Sequence, residues 1–168
     1  MSAFSLEDNE PLKAAKDSFS PVGRAEAKEA NTRIALEVMP FTQIKSVEMG
    51  VDLVDAVGEN SVGLLLDNWH VFHGGTSYDW LSRLSSRYIF GIELDDADSK
   101  VEQNLFYDTV HNRKYCGEGD FKVKEFVKAI LNTGYSGPFG IEILSDAHRK
   151  LPLKDALTLA RDSALAQF

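Results

Sequence analysis

The sequence has little that would fix a disulfide-bonded or membrane-bound architecture. Cys116 is its one cysteine, which excludes an intrachain disulfide and any zinc site built from several cysteines. No stretch approaches the roughly 20 apolar residues of a membrane helix, and the first residues lack the apolar core of a secretion signal. These absences favour a reducing compartment, and we expect a cytoplasmic protein with no membrane partner.

Positive charge is also scarce. The 18 lysines and arginines are outnumbered by 26 aspartates and glutamates, which gives a formal net charge of −8. Binding to a nucleic-acid backbone depends on clustered basic residues. The charge balance therefore argues against nucleic acid as the main partner, and the length of 168 residues fits one domain.

The composition divides the chain into two parts. Residues 1–31 are polar and contain Pro11 and Pro21, so we expect a disordered or loosely helical lead-in, with a helix near Arg24–Ala30. Residues 32–168 alternate short apolar runs with amphipathic segments, which is typical of an α/β fold with parallel strands. Four further helices are predicted, over Ser46–Val57, Tyr78–Ser85, Val123–Thr133 and Leu153–Ala166.

Four apolar runs share one feature, an acidic residue at or near the carboxyl end. Continuous runs of Val, Ile, Leu and Phe that are too short for a helix indicate buried parallel strands. The runs are RIALEVMP with Glu37, VGLLLDNWH with Asp67, YIFGIELDD with Glu93 and PFGIEIL with Glu142. In a parallel α/β barrel the carboxyl ends of the strands open onto one face, where ligands bind.

Four acids that converge on one face repel one another unless a cation or shared protons hold them together. We therefore predict a divalent metal site, and the oxygen-rich ligands suit Mn²⁺, Mg²⁺ or Co²⁺. The alternative for any single acid, Glu37 for example, is a rim residue paired with a lysine or arginine. Asp95 lies on the same side of its strand as Glu93 and remains a possible ligand, whereas Asp96 and Asp98 suit a solvated loop.

Two further residues could act beside the acids. His70 stands three positions after Asp67 and could face the same cavity, although a loop histidine is often only structural. Arg113 precedes a glycine-containing turn and could hold a carboxylate, phosphate or enediolate oxygen through two parallel hydrogen bonds. The alternative for this segment is a plain surface turn. Glu37 and Glu142 form a pair that could remove a proton from one carbon and return one elsewhere.

These motifs resemble the sugar phosphate isomerase/epimerase family with a xylose isomerase-like TIM barrel, over Thr32–Phe168. The resemblance implies that Glu37 and Glu142 are metal ligands and the catalytic carboxylates, and that Asp67 is a metal ligand. It also implies that His70 and Arg113 contact the substrate. The family's third ligand is usually a histidine, and either Glu93, at the matching position, or His111 takes that place here.

The resemblance further implies a partial barrel. The chain supplies four predicted strands where the family barrel has eight, and it resembles the C-terminal half. We expect it to need self-association or a partner that supplies the missing half, because a four-stranded sheet leaves two unpaired edges. Whether the half barrel is an active enzyme alone is left open.

The function implied is a metal-dependent isomerase or epimerase acting on a sugar or sugar phosphate, with proton transfer between two carboxylates through an enediolate-like intermediate. A dehydratase on the same scaffold is the second enzyme hypothesis, because elimination begins with the same proton abstraction. A truncated barrel without catalysis is the third hypothesis. DNA-repair endonucleases share the superfamily, but the acidic net charge argues against that activity.

Overall fold

A single four-stranded sheet organises the chain. The computed structural model of the protein describes residues 21–58 and 60–168. All strands are parallel and lie side by side in chain order, which confirms the predicted α/β class with parallel strands. The strands are β1 (Ile34–Glu37), β2 (Val62–Asp67), β3 (Ile89–Leu94) and β4 (Phe139–Ile141).

Helices connect and cover these strands. The α-helices are α1 (Pro21–Glu29), α2 (Val47–Val57), α3 (Asn68–His73), α4 (Tyr78–Leu81), α5 (Leu105–His111), α6 (Val123–Asn132) and α7 (Leu153–Leu165). Among the described residues, 3₁₀-helical turns span Ser86–Tyr88 and His148–Lys150. None of the helices in the described part of the chain has the length and apolarity needed to cross a bilayer.

The helix ends follow local sequence signals. Ser46 accepts a hydrogen bond from the Met49 amide and so caps the start of α2, while Gly58 ends this helix with a left-handed φ of 71°. Asn104 caps α5 in the same way through the Tyr107 amide. The predicted bounds of α2, α6 and α7 agree with the structure to within one residue at each end.

Three local predictions need correction. The segment after β2 forms the six-residue helix α3, where we expected a loop, because Asp67 supplies an N-terminal cap. The long connection after β3 contains α5, which the sequence pattern did not indicate. The helix predicted over Tyr78–Ser85 ends at Leu81, where the Ser82 hydroxyl bonds the Asp79 carbonyl oxygen at 2.7 Å.

The lead-in is described only in part. Helix α1 falls within it and overlaps the predicted helix at Arg24–Ala30. Residues 1–20 lie outside the described residues, so the expectation for them, like the boundary between residues 31 and 32, stays a prediction.

The hydrophobic core lies on one face of the sheet, against the helices. Leu64, Leu66, Ile92 and Leu94 belong to this core with relative exposures of 2% or less, and buried residues of α2 and α6 belong to the same cluster. Because side chains alternate along a strand, the neighbouring positions face the other way. That second face carries small residues between larger ones. The four strand-end acids also lie on it, because the register pairs Asp67 with Glu93 and Glu93 with Gly140.

Candidate metal centre

Four carboxylates meet at the carboxyl ends of the strands. Glu37 ends β1, Asp67 ends β2, Glu93 lies one residue before the end of β3, and Glu142 follows β4. Each offers an oxygen, and these oxygens all lie within 4.8 Å of one another. The structure therefore brings together all four predicted ligand residues at one point.

Among the four candidate ligands, Asp67 is the one that hydrogen bonds and burial hold most firmly in place. It is 1% exposed, and its Oδ1 accepts hydrogen bonds from the backbone amides of Trp69 at 2.7 Å and His70 at 3.2 Å. Its Oδ2 accepts a hydrogen bond from Arg113 Nη1 at 2.5 Å. The same carboxylate thus caps α3 and faces the site, which fixes both its orientation and the start of the helix that carries His70.

Arg113 lies beneath the acids rather than on the surface. It is 2% exposed, and its Nη1 pairs with Asp67, with Asp95 and, at 3.2 Å, with Glu142 Oε2. Thr109 receives hydrogen bonds from Nε and Nη2. The guanidinium is therefore an internal counter-ion that orients two of the candidate ligands, and its predicted contact with substrate stays a prediction.

Asp95 is the main residue that sequence analysis left undecided. It is fully buried, it pairs with Arg113, and its backbone amide donates to Asn68 Oδ1 at 2.8 Å. Its position two residues after Glu93 was the available signal, but its role beside Arg113 depends on a contact 18 positions away in sequence.

His70 faces the acids from α3. It is 3% exposed, and its Nε2 lies 3.3 Å from Glu37 Oε1. Trp69 and Phe41 pack edgewise against its ring, with centroid distances of 5.2 and 5.8 Å. Its Nδ1 is buried and has no hydrogen-bond partner among the described residues.

His111, the alternative third ligand, lies elsewhere. Its Nδ1 lies 2.9 Å from Asp146 Oδ1, and its ring stacks on Tyr107 with a centroid distance of 4.5 Å. Among the described residues it belongs to neither group of potential metal ligands, whereas Glu93 does belong to one. The geometry favours Glu93 as the third strand-end ligand.

Burial and mutual repulsion shift the titration of the site. Burial, with contributions from Glu142, Asp67 and Glu37, raises the pKa of Glu93 to about 7. Burial also raises the pKa of Glu142, although Arg113 opposes this shift. Burial likewise raises the pKa of Asp95. Burial alone would lower the pKa of Arg113, but Asp95 and Asp67 raise it, so its cationic form is secured.

The donor set fits a divalent cation. Five carboxylates share this region, those of Glu37, Asp67, Glu93, Asp95 and Glu142, and Arg113 supplies one full positive charge among them. The excess negative charge and the oxygen donors are features that a metal ion would satisfy.

An aromatic pair borders the same opening. Phe41, between β1 and α2, meets Phe106 of α5 edge to face with a centroid distance of 5.7 Å, and Phe41 also contacts His70. Phe106 is 63% exposed. An exposed aromatic ring beside polar groups offers an apolar wall for the C–H face of a ligand.

Comparisons with known proteins identify sequence relatives of this chain. The chain is 25% identical over 141 residues to the inosose isomerase of Halalkalibacterium halodurans, which covers 83% of this chain and 49% of the relative. It is 27% identical over 146 residues to the 3-dehydroshikimate dehydratase of Pseudomonas aeruginosa, which covers 86% of this chain and 23% of the relative. The chain thus spans about half the length, or less, of these curated relatives.

Solved structures share the fold. The IolI protein with a bound zinc atom superposes with a TM-score of 0.80 at 20% identity, over 99% of this chain and 58% of that one. D-psicose 3-epimerase with D-tagatose from Clostridium cellulolyticum H10 gives a TM-score of 0.71 at 17% identity, again over 99% and 58%. Residues 3–163 match the family described as xylose isomerase-like TIM barrel, and the chain belongs to this family.

Proposed function

We propose that the chain carries the metal centre of a sugar or sugar-phosphate isomerase or epimerase that uses Mn²⁺, Mg²⁺ or Co²⁺. The observation that carries the proposal is the convergence of Glu37, Asp67, Glu93 and Glu142 within 4.8 Å at the ligand-binding end of a parallel sheet. The inosose isomerase relatives and the sugar epimerase folds support this reaction class.

Two carboxylates divide the proton transfer in this proposal. One of Glu37 and Glu142 removes a proton from the carbon beside a carbonyl, and the electron pair moves toward the carbonyl oxygen to give an enediolate-like intermediate. For epimerisation the other carboxyl group, in its protonated form, delivers a proton to the opposite face of the same carbon. For isomerisation a proton is delivered to the neighbouring carbon, and the hydroxyl proton of that carbon moves to the former carbonyl oxygen. A bound divalent ion would polarise the carbonyl and hydroxyl oxygens and so acidify the C–H bond.

Two cationic or polar groups orient the substrate in the same proposal. His70 is proposed to contact a substrate hydroxyl from the Glu37 side, where its Nε2 lies. Arg113 is proposed to contact a substrate oxygen beside Glu142, because its Nη1 lies 3.2 Å from Glu142 Oε2. Its pairing with Asp67 also keeps that ligand in place.

The proposal includes a second half barrel. Within the described residues β1 pairs only with β2 and β4 only with β3, so both outer strands keep unpaired backbone groups. The face that carries the acids is lined by residues such as Ala35 and Gly140, which are exposed. We propose that a second copy or a partner polypeptide closes the barrel over this face and contributes further substrate contacts.

A dehydratase is the second candidate, favoured by the similarity to 3-dehydroshikimate dehydratase. Elimination begins with the same removal of a proton beside a carbonyl. It then ends differently, because the β-hydroxyl leaves as water after it receives a proton from an acid. A folded but non-catalytic metal-binding fragment is the candidate from a different class.

Solvent-isotope exchange separates these candidates. The chain is loaded with Mn²⁺ and incubated in D₂O with inosose, ketohexoses or 3-dehydroshikimate, and NMR follows deuterium at the carbon beside the carbonyl. Isomerase or epimerase activity predicts exchange with formation of an isomer, and it predicts loss of both in Glu37→Gln and Glu142→Gln. The exposed Glu125→Gln on α6 serves as the control. Formation of an unsaturated product supports the dehydratase, and no exchange even after addition of an N-terminal half barrel contradicts catalysis.

A further inference from the structure

Glu142 lies where the sheet gives its backbone little support. It follows β4, a strand of three residues at one edge of the sheet. Within the described residues β4 pairs with β3 alone, and the Glu142 amide donates to the Leu94 carbonyl oxygen of β3 at 3.1 Å. The position of the Glu142 carboxylate therefore depends on what holds the chain after this residue.

The chain after Glu142 pairs with the end of α5. The Arg113 amide donates to the Leu144 carbonyl oxygen at 3.1 Å, and the Asp146 amide donates to the His111 carbonyl oxygen at 3.0 Å. An antiparallel β-bridge lies between these two bonds. A short antiparallel ladder thus joins the segment that carries Arg113 to the segment that follows Glu142.

Side chains fasten one end of this ladder. His111 Nδ1 lies 2.9 Å from Asp146 Oδ1, and Arg149 Nη1 lies 3.1 Å from the same oxygen. Because an ionised carboxylate only accepts hydrogen bonds, the Nδ1 atom carries the proton of this contact. The hydrogen bond from His111 lowers the pKa of Asp146, which keeps this carboxylate ionised at neutral pH. The His111 ring also stacks on Tyr107, with a centroid distance of 4.5 Å.

Two charged residues of the site meet beside the other end of the ladder. Arg113 Nη1 lies 3.2 Å from Glu142 Oε2, and the same guanidinium pairs with Asp67. Asp67 is held independently, by the backbone amides at the start of α3. Loosening of the ladder would therefore release Glu142 from its place opposite Arg113 and leave Asp67 where it is.

We propose that His111 and Asp146 are a positioning pair, which holds Glu142 and Arg113 in register at the metal centre without contacting the ion. Neither residue belongs to the two groups of potential ligands among the described residues. The inference rests on the proposed metal centre but not on the proposed reaction. Because the two side chains are 33% and 55% exposed, we expect effects of about two- to fivefold, as for other exposed pairs, and not a loss of binding.

Hydrogen exchange on the metal-free chain tests the hold on the ladder. His111→Phe keeps an aromatic ring on Tyr107 and removes the bond to Asp146. The Arg113 and Asp146 amides should then exchange about two- to fivefold faster, while the Ile130 amide within α6 should exchange at its former rate. Unchanged exchange at Asp146 overturns the proposal. Equal acceleration at Ile130 also overturns it, because it indicates general destabilisation.

Calorimetric titration with Mn²⁺ tests the effect on the metal centre. Asp146→Ala and Asp146→Asn both remove a negative charge, but only asparagine keeps an oxygen that accepts the bond from His111. Asp146→Ala should therefore bind Mn²⁺ about two- to fivefold more weakly than Asp146→Asn. Asp79→Ala, which breaks an exposed ion pair with Arg83 outside the site, is the control and should bind Mn²⁺ as the unmodified chain does.

The possible results separate the positioning role from the metal centre itself. Equal Mn²⁺ affinities of the two Asp146 variants overturn the positioning role. A loss of more than about 100-fold in His111→Phe overturns it as well, because it exceeds what an outer partner of a ligand costs and indicates a direct ligand. Failure of the unmodified chain to bind any divalent ion contradicts the proposed metal centre, and the exchange measurement then still decides whether the pair holds Arg113 in place.

Discussion

Replacement of Arg113 by methionine should lower the free energy of unfolding of the chain, because Arg113 is the buried cation of the site. Arg113 is 2% exposed and pairs with Asp67 and Asp95, which are 1% and 0% exposed. Methionine keeps much of the side-chain volume but leaves both carboxylates without their cation. Removal of one partner from a buried ion pair costs about 3–5 kcal/mol. Because two buried carboxylates lose their partner, we expect a cost at the upper end of that range.

Urea unfolding of the metal-free chain measures this cost. Arg83→Met is the control, because Arg83 and Asp79 form an ion pair whose side chains are 68% and 81% exposed, and such pairs contribute about 0–1 kcal/mol. Asp95→Asn combined with Arg113→Met should regain about 1–2 kcal/mol over Arg113→Met alone, because one buried charge is gone. A cost for Arg113→Met no larger than that for Arg83→Met would refute the reasoning.

Three further outcomes are expected. The metal-free chain should lose stability as the pH rises from 4.5 to about 7, because the raised pKa of Glu93 means that unfolding releases a proton in this range; Glu93→Gln should flatten this slope in urea midpoints. Gly119→Ala should destabilise the chain by about 1–3 kcal/mol in the same assay, because the added methyl group collides with the Ala97 carbonyl oxygen and the Asp96 carboxylate. Mn²⁺ at 100 times its dissociation constant should add about 2.7 kcal/mol to the free energy of unfolding, and chelation should reverse this gain.

The sheet and its acids could be predicted because both depend on local patterns. Each apolar run marks a buried strand, and the position of the acid within the run places it at the ligand-binding end. Glu37, Asp67, Glu93 and Glu142 accordingly lie together as expected. Helices α2, α6 and α7 follow from apolar spacing and from end signals such as Gly58.

The network beneath the acids could not be predicted, because it depends on contacts between distant segments. Arg113 meets Asp67 across 46 positions of sequence, and no spacing rule links them. Helix α3 is too short to show a helical period, although Asp67 directly before it is a typical N-cap residue. The choice between Glu93 and His111 was open for the same reason, since the side chains that surround each come from other elements.

The most direct test of the account is a crystal structure of the chain with Mn²⁺ bound. The account predicts one ion at the carboxyl ends of the strands, with oxygens of Glu37, Asp67 and Glu142 at about 2.0–2.6 Å from it. Anomalous scattering from manganese would identify the ion without reference to its ligands. An ion bound elsewhere, or these carboxylates left too far apart to share one, would contradict the central claim.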